Sequence, residues 1–118
     1  MSQPLIEQLI RSHAFQAQSE AQLQASLEAV LSEGGIPFER EPQLSPSCRP
    51  DFLCEGGICV EVKVDGSAME LARQVARYVE LPEVTSVLVV TTRCRHQEIP
   101  TSLGGKPICV LHLLTGIL

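Results

Sequence analysis

The spacing of apolar residues changes along the chain, and each change marks an element. Leu5, Ile6, Leu9 and Ile10 recur at helical spacing, which predicts a short helix over residues 4–12. Residues 13–17 read as a connector. Ser19-Glu20-Ala21-Gln22 has the form of a capping box, so a second helix is expected from there to about residue 33. Gly34-Gly35 ends it, because glycine accepts the left-handed backbone that a helix stop needs.

The period then drops to two. Residues 36–44 read as a strand near a sheet edge, since Pro37 and Pro42 cannot donate to a ladder. Ser45-Pro46-Ser47 is a loop. Residues 50–54 and 58–64 are strands joined across Glu55-Gly56-Gly57. Asp65-Gly66-Ser67 breaks the second of these and caps a third helix over residues 68–81, with Pro82 behind it. Residues 84–92 are apolar throughout and rich in β-branched side chains, the mark of a buried strand. A polar loop with a helical turn over 93–105 leads to a last strand over 107–114. The order α-α-β-β-β-α-β-β implies an α/β domain with a mixed sheet flanked by helices. The 118 residues fit one domain, with no internal repeat.

The strand over 58–64 carries the first chemistry. Side chains alternate faces, so Val60, Val62 and Val64 point into the core, and Cys59, Glu61 and Lys63 share the other face. A three-residue turn at 55–57, with Gly57 left-handed, pairs Cys54 with Ile58 and therefore Asp51 with Glu61. Both carboxylates then project side by side. A two-residue turn would set Asp51 opposite Val62, on the wrong face. Two adjacent carboxylates resist ionising together unless a cation joins them, and oxygen ligands of this kind suit magnesium or manganese. The competing reading is a structural ion-pair cluster on a wet sheet face.

Helix phasing adds further residues. Leu23, Leu27, Val30 and Leu31 define the core stripe of the second helix, and Glu20 falls near its centre, unlike Glu28 and Glu33. Two readings of Glu20 stand: contact with a metal or its water, or an acid placed to suit the helix dipole. On the third helix Gln74 borders the buried face, and Tyr78 follows one turn later. Arg73 and Arg77 are also one turn apart, either as a solvated face or as an edge that contacts phosphate.

Composition narrows the picture. Net charge is −5, which argues against a protein that coats nucleic acid. Aromatics are 3 %, too few for base-stacking platforms. Cysteines 48, 54, 59, 94 and 109 are odd in number and lack Cys-x-x-Cys spacing, so small buried thiols are expected rather than disulfides or a zinc site. His13, His96 and His112 lack metal-like spacing and read as surface or packing residues. No signal peptide or bilayer-length apolar run is evident, so a cytoplasmic protein is expected.

Pro50-Asp51, nine residues and then Glu61-Val62-Lys63 resembles the signature of the PD-(D/E)XK nuclease superfamily. Glu20 on the preceding helix and Gln74-x-x-x-Tyr78 on the following one extend the resemblance over residues 19–92. Small resolvases and phage-type nucleases are the most similar in pattern. The Gly-Leu-Ser segment of VRR-type relatives is absent, and Asp65-Gly66-Ser67 stands after Lys63 instead. The resemblance implies a restriction-endonuclease-like αβββαβ core and hydrolysis of DNA phosphodiester bonds with Mg2+ or Mn2+. It implies that Asp51, Glu61 and the Val62 carbonyl ligate the metal, with Glu20 direct or through water. Lys63 would orient the attacking water, and Gln74 would position Lys63 or the phosphate. Arg73, Arg77 and Tyr78 would contact nucleic acid. A homodimer fits the resemblance, with the apolar run 108–118 as an interface or, alternatively, a core strand. The second reading is a nuclease-like binding or scaffolding module with weak or no catalysis.

Overall fold

The computed structural model describes residues 3–13, 15 and 19–113. Two helices come first, α1 (Gln3–Arg11) and α2 (Glu20–Glu33). Three strands follow: β1 (Phe38–Arg40), β2 (Phe52–Cys54) and β3 (Ile58–Lys63). Helix α3 (Ala68–Val79) leads to β4 (Ser86–Thr91), a 3-10 turn (Cys94–Glu98), β5 (Ser102–Leu103) and β6 (Lys106–His112).

The capping signals act as expected. Ser19 Oγ accepts the Gln22 N–H at 3.2 Å, and Ser67 Oγ accepts the Glu70 N–H at 3.1 Å. The six strands form one mixed sheet in the order β1-β2-β3-β4-β6-β5. β1, β2 and β3 meander antiparallel, α3 crosses over to a parallel β4, and β6 lies parallel to β4. The polar stretch before the last strand holds β5, which pairs with β6 through Leu103 and Lys106 around Gly104-Gly105. Two strand residues are too few to carry a period, so β5 was not visible in the pattern, although Gly-Gly is a hairpin signal.

Both faces of the sheet are covered. Ile6, Ile10, Leu23 and Leu27 pack on one face against Phe52, Val60, Val62, Leu88 and Val90. Leu71, Val75 and Tyr78 pack on the other against Cys59, Val87 and Val89. The face that carries Cys59 and Glu61 is therefore a second core and not a wet surface, because α3 lies across it. Cys48, Cys54 and Cys59 are buried free thiols, and burial pushes Cys54 up to about 12. Among the described residues no helix is long and apolar enough to cross a membrane. Residues 108–112 of the apolar C-terminal run expected as an interface or a core strand belong to β6, inside the sheet, and residues 114–118 lie outside the described part.

The turn between β2 and β3 is held from the side. Gly56 and Gly57 have φ of 91° and 80°. The Gly57 carbonyl accepts the Thr85 N–H at 2.8 Å, and Gly56 O accepts Thr85 Oγ1–H at 2.6 Å. A Cβ on Gly57 would run into the Glu83 carbonyl oxygen, whereas one on Gly35 (φ +69°) meets nothing. Gly35→Ala should therefore cost about 1–2 kcal/mol, the left-handed penalty alone. Gly57→Ala should cost clearly more, since backbone must move as well. Urea unfolding of the two variants checks this, and equal losses would show that the contact at Gly57 yields freely.

Candidate functional site

The hairpin register brings two carboxylates together. Phe52 pairs with Val60, Leu53 with Cys59 and Cys54 with Ile58. One step further sets Asp51 opposite Glu61, as the three-residue turn requires. The next ladder position would face Val62 with Pro50, which has no N–H to exchange. The Asp51 side chain takes that place: its Oδ2 accepts the Val62 N–H at 2.7 Å. A strand residue's N–H and C=O point to the same side, so the Val62 carbonyl also lies on the Asp51 edge of β3.

Helix α3 supplies the donors for Glu61. Its Oε1 accepts the Tyr78 hydroxyl at 2.9 Å and the Asp51 N–H at 3.3 Å. Its Oε2 accepts Gln74 Nε2–H at 3.2 Å and pairs with the Lys63 ammonium at 3.5 Å. Gln74 Nε2 also donates to the Tyr78 oxygen at 2.8 Å. Glu61 is 4 % exposed and Asp51 9 %, whereas the Lys63 side chain is 24 % exposed. The lysine thus reaches from a buried acidic pair toward solvent.

Burial in a low-dielectric interior disfavours the charged form. It pushes Glu61 up to about 7, with the neighbouring Asp51 charge adding to the effect, while Lys63 and the Tyr78 hydroxyl oppose it. Burial also raises Asp51, against the lowering effect of the Val62 N–H, and the Glu20 charge adds to the rise. The Tyr78 hydroxyl is held far above its ordinary value by burial and by Glu61, so it stays a donor.

Several expected placements change. Tyr78 is 1 % exposed and bonds Glu61, so it steadies a carboxylate and offers no surface to nucleic acid. Gln74 holds Glu61 and Tyr78, with no bond to Lys63. Glu20 stands half-buried in the first turn of α2, near enough for its charge to act on Asp51, yet without a hydrogen bond or ion pair to another described residue. Among the described residues no three Asp, Glu, His or Cys side chains form a group that could hold a metal ion. Arg73 and Arg77 are exposed on α3 and line a groove of about 330 Å³ with Lys63 and Gln74. His96 is a packing residue, as expected, but a fully buried one. Its Nε2–H donates to the Gly66 carbonyl at 2.9 Å, and Nδ1 accepts the Thr91 hydroxyl at 2.6 Å. Burial lowers its pKa, and this clamp holds the turn that follows Lys63.

Two residues of the site were missed. Gln24, one turn beyond Glu20, donates from Nε2 to Asp51 Oδ1 at 3.0 Å. Arg40 donates to Gln24 Oε1 at 2.9 Å and to the Asp51 carbonyl at 3.1 Å. It also pairs with Glu28 at 3.3 Å and lies 4.7 Å from the Phe52 ring centroid. The four-residue spacing from Glu20 could have found Gln24. Arg40 had no such signal, because the long loop between β1 and β2 leaves their register open.

A carboxylate oxygen can accept two bonds, and each Asp51 oxygen accepts one. Burial is the main cause of the raised values at the pair, and a neighbouring carboxylate adds to each. The chain matches no protein-family model, no curated protein and no solved structure.

The Glu61 value has a consequence for stability. Folded Glu61 keeps its proton up to about 7, whereas the unfolded group releases it near 4.5. The folded state then binds more protons across that window, so stability is greatest below it and falls as pH rises through it. Urea midpoints should drop from pH 5 to 7.5 in the wild type and drop less in Glu61→Gln. A wild-type midpoint that rises over this range would contradict the assignment.

Proposed function

We propose that this chain is a Mg2+- or Mn2+-dependent nuclease of the PD-(D/E)XK type that hydrolyses phosphodiester bonds in DNA. The carrying observation is the buried Asp51–Glu61 pair with Lys63 two residues beyond it on the same strand face. The α-β-β-β-α-β order around that pair supports a restriction-endonuclease-like core. Asp51, Glu61 and the Val62 carbonyl would hold the ion, and Glu20 would reach it directly or through water. When bound, the ion supplies charge against the scissile phosphate and acidifies water.

The chain's own groups do the rest. Lys63 is held by Glu61 and projects outward, where it orients the attacking water and faces negative charge growing on the phosphate. Tyr78 and Gln74 fix the Glu61 carboxylate, and Gln24 backed by Arg40 fixes that of Asp51. This support keeps the reacting groups in one geometry. Water attacks phosphorus, the P–O bond breaks, and the leaving oxygen is protonated. No covalent enzyme intermediate forms. A homodimer would let two such sites address two strands.

A second reading has its own observation. Both carboxylates already have internal donors, and no three-ligand group is assembled among the described residues. That suits a nuclease-like module that binds or scaffolds with weak or no catalysis.

Purified protein incubated with supercoiled, linear, single-stranded and branched DNA separates the two. Cleavage should require Mg2+ or Mn2+ and stop with a chelator. Asp51→Ala should abolish it, and Lys63→Ala should slow it by about 100-fold or more, the scale of losing one charge-stabilising group. Failure to cut any of these substrates with either metal would favour the module.

A further inference from the structure

The groove beside Lys63 has a charge pattern that the net charge of −5 conceals. Most cations of the chain are committed elsewhere. Arg11 pairs with Glu7, Arg40 with Glu28, and Arg95 with Asp65. Arg93 bonds the Val64 carbonyl, and Lys106 bonds those of Val79 and Leu81. Arg73 and Arg77 have no carboxylate or carbonyl partner among the described residues, and both line this groove. Arg73 donates to the Met69 sulfur at 3.2 Å. Glu70 stands one turn before Arg73 and lines the Gly66 end of the groove with Asp65, so on α3 the positive stretch is confined to its second half, with Lys63 as the third cation of the lining.

The footprint is short. Four residues of helix separate the arginines by about 6 Å along the axis. Proteins that grip duplex DNA neutralise about 6–10 phosphates. Three cations on an acidic chain fall well below that. Base stacking is also absent from the design. Phe15, Phe52 and Tyr78 are buried, and Phe38 packs edge-on to Phe52 at 5.6 Å. The groove, at about 330 Å³, is at the small end of ligand-sized clefts.

We propose that this groove takes the phosphates of one unpaired nucleic-acid strand, contacted by Arg73, Arg77 and Lys63 through the backbone alone. This rests on the reading of Asp51, Glu61 and Lys63 as the reacting centre. The substrate is thereby an unpaired segment: a single strand, a flap or the open part of a branch. Recognition is indifferent to base identity, because no side chain in the groove presents a ring to stack on. Glu70 and Asp65 line the groove at the Gly66 end and repel a longer backbone contact there.

Fluorescence anisotropy with labelled oligothymidine, mixed-sequence single strand and duplex tests this, in chelator so that no cleavage occurs. The wild type should bind both single strands alike and more tightly than duplex. Its log K should fall with log salt at a slope of about −2, three contacts at about 0.7 each. Arg73→Ala and Arg77→Ala should each weaken binding and flatten the slope by about 0.7. Glu70→Gln should strengthen binding, and Arg11→Ala should change nothing. Preference for duplex, no binding of any strand, or slopes unchanged in both arginine variants would overturn the proposal. Cleavage assays keep the two readings apart. If Arg73→Ala/Arg77→Ala cuts with unchanged KM, the groove assignment fails and the reacting centre stands. If Asp51→Ala leaves cleavage intact while the salt slopes behave as stated, the reverse holds.

Discussion

The Glu61 carboxylate lies within the sheet, under a helix, one strand away from a second carboxylate. An unpaired charge in such a place is expensive, and in practice the group either finds donors or keeps its proton. Here it does both. The Tyr78 hydroxyl, the Gln74 amide, the Asp51 N–H and the Lys63 ammonium converge on its two oxygens. Its pKa is nevertheless pushed up to about 7. Much of the surrounding structure serves this arrangement. The Gly56-Gly57 turn sets the register, Pro50 frees the Val62 N–H for Asp51, and α3 is phased to aim Tyr78 and Gln74 inward.

Asp51 is supported from the opposite side of the sheet. Gln24 comes from α2 and Arg40 from the edge strand β1, so two layers meet at the place where β2 leaves β3. Arg40 has several tasks at once: it holds Gln24, the Asp51 backbone, Glu28, Glu41 and the Phe52 ring. A guanidinium suits this because its donors are fixed in a planar fork and its face stacks on an aromatic ring. The pair is therefore framed by donors from α2, β1 and α3.

Charge elsewhere is arranged to keep this end distinct. Lys63 and the exposed Arg73 and Arg77 share one groove, while Arg11, Arg40, Arg93, Arg95 and Lys106 are tied to carboxylates or carbonyls and the exposed Arg49 lies outside the groove. A negative net charge and a local positive track are thus compatible, since ionic screening confines each field to within about 10 Å at ordinary salt. His96 adds rigidity at the near end by tying Gly66 to Thr91, so the chain turns sharply after Lys63.

Much of this was legible in the residues themselves. Period and capping placed three helices and the main strands, because local backbone preference and face alternation are short-range effects. The glycine pair fixed the hairpin register, and with it the shared face of Asp51, Glu61 and Lys63. What lay across that face was not legible. The expected alternative of a wet sheet failed because α3 packs there, a fact of tertiary arrangement. The same packing turned Tyr78 from an expected nucleic-acid contact into a buried donor. Gln24 and Arg40 escaped notice for a related reason: they reach Asp51 across 27 and 11 residues, and no periodicity spans such distances. The sequence by itself determined that two carboxylates and a lysine share a face. The tertiary structure decided that this face is buried and which donors it holds, because α2, α3 and β1 meet around it only in the folded chain.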